Sequence, residues 1–126
     1  MKYLILTYAS QEFFDGMTGD DPTWTADDLA EMGKFMEELN DDLRGSGEFI
    51  EAVGLEAPAH TRRVRLRGGV PVVTDGPYAE TQEVLAGYWL VDCAGFDRAT
   101  EIAGRLARCP GPDPVIDVRP VMGTGD

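Results

Sequence analysis

A chain of 126 residues and 13.7 kDa is long enough to hold one domain with its own core, and 43% hydrophobic residues exclude a disordered chain. The formal net charge of -12 argues against nucleic acid and against anionic membrane surfaces, because both are bound through clustered Lys and Arg. Cys93 and Cys109 lack metal-ligand spacing, and no stretch approaches the roughly 20 apolar residues of a membrane span, so a cytoplasmic protein with reduced thiols is expected.

Lys2 to Tyr8 is a short apolar run with no helical period, which predicts a first strand. It is too short for a signal peptide and has no small-residue cleavage site. Ala9 to Trp24 is polar and holds Gly16, Gly19 and Pro22, so it reads as a long loop, of the kind that serves as a lid or binding loop. Its Asp15, Asp20 and Asp21 do not fit an EF-hand, because the twelfth position counted from Asp15 is Ala26 and not Glu. Fourteen of the 23 carboxylates lie between Glu12 and Glu56, and a solvated acidic face explains them.

Thr25 with Asp28 predicts a variant capping box. Leu29, Met32, Met36, Leu39 and Leu43 step as one apolar helical stripe, read as core, which Gly45 and Gly47 end. Trp24 before the cap reads as a hydrophobic staple, with a pocket wall as the alternative. Glu48 to Leu55 is a second strand. Arg62 to Arg67 alternates, with Val64 and Leu66 on one face and Arg63, Arg65 and Arg67 on the other, which predicts a half-buried strand. Gly68-Gly69 turns it back into Val70 to Thr74.

Val84 to Val91 is apolar on both faces, so this strand is expected to be buried on both sides. Phe96, Ala99, Ile102, Ala103 and Leu106 form a second helix ended by Pro110 and Pro112, and Val115 to Val121 is a last strand with Pro120 at an edge. The order predicts a single α+β domain over residues 1–126, a ferredoxin-like split βαβ antiparallel sheet with an extra hairpin and two helices on one face. The second sheet face, with Tyr88 opposite Trp89 in the alternation, then needs a partner, and a two-fold homodimer is the simplest one.

The run Val73-Thr74-Asp75-Gly76-Pro77-Tyr78-Ala79-Glu80-Thr81, followed by Glu83-Val84-Leu85-Ala86-Gly87-Tyr88-Trp89-Leu90-Val91, resembles the YCII-related family, in the branch named for its Asp-Gly-Pro-Phe motif. The opening Met1-Lys2-Tyr3-Leu4 and the closing Val118-Arg119-Pro120-Val121 extend the likeness over essentially the whole chain. The resemblance implies a dimeric α+β barrel. It also implies kinship with bacterial proteins linked to extracytoplasmic-function sigma factors, and with relatives that act on small chlorinated or muconate-type acids through a His–Asp pair. Here Tyr78 stands in place of Phe, and no histidine lies in the first strand, loop or helix, so that pair does not carry over.

Asp75 leads the candidate chemistry: a carboxyl beside Tyr78 at a cleft could work as a general acid or base on a small organic acid or other metabolite. The plain alternative is an Asx-turn that shapes the corner. Gly76 and Pro77 set the backbone, and Tyr78 either covers a ligand or packs at an interface. Tyr8 sits where the first strand can approach the corner. His60 is the lone histidine, a ligand contact or a solvated loop residue. Arg119 binds a carboxylate or pairs with Asp117. Arg63, Arg65 and Arg67 read as an outward face. No metal or cofactor is expected. An acid–base enzyme and a non-catalytic metabolite-binding or regulatory protein both fit.

Overall fold

The computed structural model describes residues 1–18, 24–111 and 114–123. Gly19, Asp20, Asp21, Pro22 and Pro112, used in the sequence reading, lie outside the described residues. Four strands, β1 (Lys2–Ala9), β2 (Phe49–Gly54), β5 (Val84–Asp92) and β6 (Ile116–Pro120), form one antiparallel sheet in the order β2-β5-β1-β6. Helices α2 (Ala26–Ser46) and α3 (Phe96–Leu106) complete two split βαβ units, the ferredoxin-like order. β6 is an edge strand, which accommodates Pro120.

Both helices pack on one face of the sheet. Tyr3, Ile5, Trp89 and Val91 from the strands meet Leu39 and Leu43 of α2 and Ala99, Ile102, Ala103 and Leu106 of α3. The Trp89 indole N–H donates to Asn40 Oδ1 at 2.7 Å, so its one polar atom is satisfied. The α2 cap forms as the sequence predicts: Thr25 Oγ1 accepts from the Asp28 amide at 3.1 Å and Asp28 Oδ2 from the Thr25 amide at 2.9 Å. Gly47 ends the helix in the left-handed region at φ 78. Arg98 of α3 grips Glu48 with two N–H donors at 2.8 and 2.9 Å, joining α3 to the start of β2.

Two bulges interrupt the pairing. Ile50 is extra on β2 opposite β5, and Ala86 is extra on β5 opposite β1. The second lets Thr7 pair with Gly87 while Tyr8 pairs with Leu85. Leu4, Leu6, Tyr88 and Leu90 then lie on the face away from the helices, half-buried, with Leu4 opposite Leu90 and Leu6 opposite Tyr88. Among the described residues no helix is long and apolar enough to cross a membrane.

Two expectations change. The segment read as a loop holds a short helix, α1 (Gln11–Thr18), started by Ser10, whose Oγ accepts the Phe13 amide at 3.1 Å. Gly16 lies inside it and disguises it. The strands β3 (Arg62–Arg67) and β4 (Val70–Asp75) pair only with each other, as a separate two-stranded sheet. The period-two reading of β3 was right about the alternation and wrong about burial, since Leu66 is 72% exposed. Among the described residues no layer lies against the hairpin, so its apolar face stays exposed.

Candidate functional site

A cavity of about 260 Å³ opens between the sheet and the helices at the end of the sheet where β1 finishes. Thr7, Tyr8 and Ala9 from β1 and the bulged Ala86 from β5 form its floor. Phe13 and Phe14 of α1 wall one side, and Met32 and Met36 of α2 another. Leu106, Cys109 and Gly111 at the end of α3, with Val115 and Ile116 entering β6, close the rest. Phe13 is braced by Trp24, whose ring meets it edge-on at 5.7 Å. The same indole lies over Gly111, where a Cβ would approach it to 3.0 Å. Trp24 thus ties α1 to the segment after α3.

The wall is mostly apolar, and its polar groups are mostly occupied. The Thr7 hydroxyl donates to the Gly87 carbonyl at 3.1 Å, and Ser10 caps α1. Burial pushes the Cys109 thiol up, so it stays protonated and is a poor nucleophile at neutral pH. Tyr8 lines the cavity, yet its hydroxyl donates to Asp117 Oδ2 at 2.8 Å. That hydrogen bond holds the phenol above its ordinary pKa. Partial burial and the Asp117 charge act in the same direction, and Arg119 opposes them. Glu83 also lines the cavity.

The residues predicted from sequence fall into two groups. His60, Asp75, Gly76, Pro77 and Tyr78 cluster at the foot of the hairpin. The Gly76 amide donates to the Thr61 carbonyl at 2.8 Å, and Gly76 holds φ 52, where a side chain would be strained. His60 ends a 3-10 turn over Pro58–His60 and is exposed. Asp75 Oδ1 accepts from Arg62 Nε at 3.2 Å, with the two side chains 79% and 78% exposed. The Arg63 guanidinium covers the Tyr78 ring at 5.1 Å from its centroid. None of these five lines the cavity.

Tyr8 and Arg119 form the other group, with Asp117, on β1 and β6. Arg119 is exposed on the open face opposite Leu4. Helix α1 connects the two groups. The Glu12 amide donates to the Glu80 carbonyl at 2.9 Å, and Gln11 Oε1 accepts the Ala59 amide at 2.8 Å. The approach of the first strand to the corner therefore occurs through the residues just after Tyr8.

Sequence reasoning missed Phe13, Phe14, Met32, Met36, Glu83 and Cys109 as site residues. The Met stripe carried a usable signal. Its C-terminal half, Leu39 and Leu43, is core, while Met32 and Met36 line the cavity, Met36 also packing against the core. Among the described residues no three His, Cys, Asp or Glu side chains are grouped to hold a metal ion.

A family model described as the YCII-related domain matches residues 1–122. An uncharacterised protein of Rhizobium meliloti is similar, 28% identical over 122 residues that cover 96% of this chain and 92% of that protein.

Proposed function

The chain belongs to the YCII-related domain family, and from that premise we propose that it binds a small organic molecule in the cavity between α1, the sheet and the ends of α2 and α3. The observation that carries this reading is the apolar volume of about 260 Å³ walled by residues of three helices and three strands. An engineered apolar cavity of about 150 Å³ accommodates benzene, so this volume suits on the order of ten non-hydrogen atoms.

Turnover by acid–base chemistry at Asp75 and Tyr78 is the second reading, supported by the motif. A general acid needs a carboxyl withdrawn from water, and Asp75 is exposed and paired with Arg62. The geometry therefore favours binding over catalysis. A regulatory role beside sigma-factor-type transcription control rests on the family resemblance alone. A two-fold homodimer through the open sheet face is the partner we propose, because among the described residues Leu4, Leu6, Tyr88 and Leu90 have no layer against them.

A thermal-shift screen of small apolar molecules on the wild type and on Met36→Trp tests the binding reading. Ligands raise the melting temperature of the wild type and not of the variant, whose indole fills the cavity. An equal shift in both puts the ligand elsewhere. Asp75→Asn keeps the shift if the corner is only a frame, and loses it if the corner is part of the site.

A further inference from the structure

We propose that the cavity takes a small lipophilic amine: a ring-sized apolar body carrying one protonated amino group. The inference rests on the binding reading above and adds the class of ligand. Size and wall define the body. About 260 Å³ bounded by Phe13, Phe14, Met36 and Val115 accepts an aromatic or branched hydrocarbon skeleton.

Charge defines the polar end. No Lys, Arg or His is among the described residues that line the cavity, and Glu83 is the one carboxylate among them. The other polar groups offer little to an anion, since the Thr7 hydroxyl donates to Gly87, the Tyr8 hydroxyl donates to Asp117, and the Cys109 thiol is a weak donor.

A carboxylate ligand would leave water with no cation to meet it, and would face the like charge of Glu83. An ammonium group gains a charge-assisted hydrogen bond to the same side chain. Glu83 is exposed, so it meets the amino group where the cavity opens to solvent and the ammonium keeps part of its hydration. The chain's net charge of -12 also favours the approach of cations. This departs from the small acid that the family resemblance suggests.

Phenethylamine, phenethyl alcohol and phenylacetate share one skeleton and differ in charge. Their dissociation constants at neutral pH, measured by calorimetry on wild type and on Glu83→Gln, test the class. The amine is expected to bind tightest and the acid weakest. Glu83→Gln is expected to weaken the amine about fivefold, the size of an exposed ion pair, and to leave the alcohol unchanged. The class is overturned if the alcohol matches the amine, if phenylacetate binds tightest, or if Glu83→Gln leaves the amine unaffected. Binding of the alcohol alone leaves the cavity reading standing while the class fails. Binding by none of the three overturns both.

Discussion

Gly87 has no room for a side chain. A Cβ there would stand 2.6 Å from the Val53 carbonyl oxygen, a backbone atom that cannot swing aside. Gly87→Ala is therefore expected to destabilise the fold by about 1–3 kcal/mol, as overpacking does, and to loosen the β2–β5 ladder. Chemical denaturation gives the first and amide exchange at Val53 and Gly54 the second; an unchanged midpoint would refute the close approach. Tyr8 makes a second prediction. Because Asp117 favours the protonated phenol, Asp117→Asn should lower the Tyr8 pKa toward about 10. The raised value means that the stability from this bond is present at neutral pH and is lost as pH rises through the folded pKa. Ultraviolet titration of wild type and variant tests this, with a coincident curve counting against the bond. Neither contact was legible in the sequence. Gly87 is one glycine in an apolar run, and Asp117 lies more than a hundred positions from Tyr8.

Among the elements, α2, α3 and the four main strands could be read because each carries one signal that its packing obeys. Leu39 and Leu43 repeat at helical spacing and are core, and Val91 and Trp89 alternate into it. Helix α1 could not be read so easily. It spans Gln11–Thr18, too short for its apolar pair Phe13-Phe14 to set up a period. What holds it is tertiary, through the Glu80 carbonyl and the Ala59 amide. The hairpin failed in the opposite way. Its alternation is clear, but burial depends on what lies against it, which no local pattern encodes. Between elements, the Arg98 fork on Glu48 is the contact most sensitive to acid. Arg98 lowers the Glu48 pKa through its hydrogen bonds, although burial opposes the shift. The stabilisation is therefore present above the ordinary glutamate range and fades as pH falls through the folded pKa. Glu48→Gln should cost roughly 1–2 kcal/mol at neutral pH, since Arg98 is partly exposed and the pair is partly screened. Calorimetry from neutral pH down to about 3 should show the gap between wild type and variant closing; a gap that widens in acid contradicts the fork.

Across the molecule, the sheet presents one face to the helices and one that no layer covers among the described residues. If two copies close over the second face, Leu90→Arg at its centre should yield a folded monomer, because Leu90 takes no part in the helix-side core. Sedimentation at micromolar concentration is expected to give twice 13.7 kDa for the wild type and 13.7 kDa for the variant. A wild type that sediments as one chain would remove the dimer. The topology was legible from the order of elements, whereas the cavity was not, since its walls come from parts of the chain as far apart as Thr7 and Ile116. The extra residue at Ala86 shows how finely that wall depends on chain length. In the regular ladder below it Trp89 and Val91 face the helices; past it the phase advances by one, and Leu85 pairs with Tyr8 on the open side. Ala86→Ser would leave both phases as they are. Deleting Ala86 would close the bulge and leave Leu85 opposite Tyr8 and Val84 opposite Ala9, while the cavity floor loses the residue that Ala86 supplies. The bulge therefore adds a residue to the cavity floor without turning the faces of the pairs on either side of it.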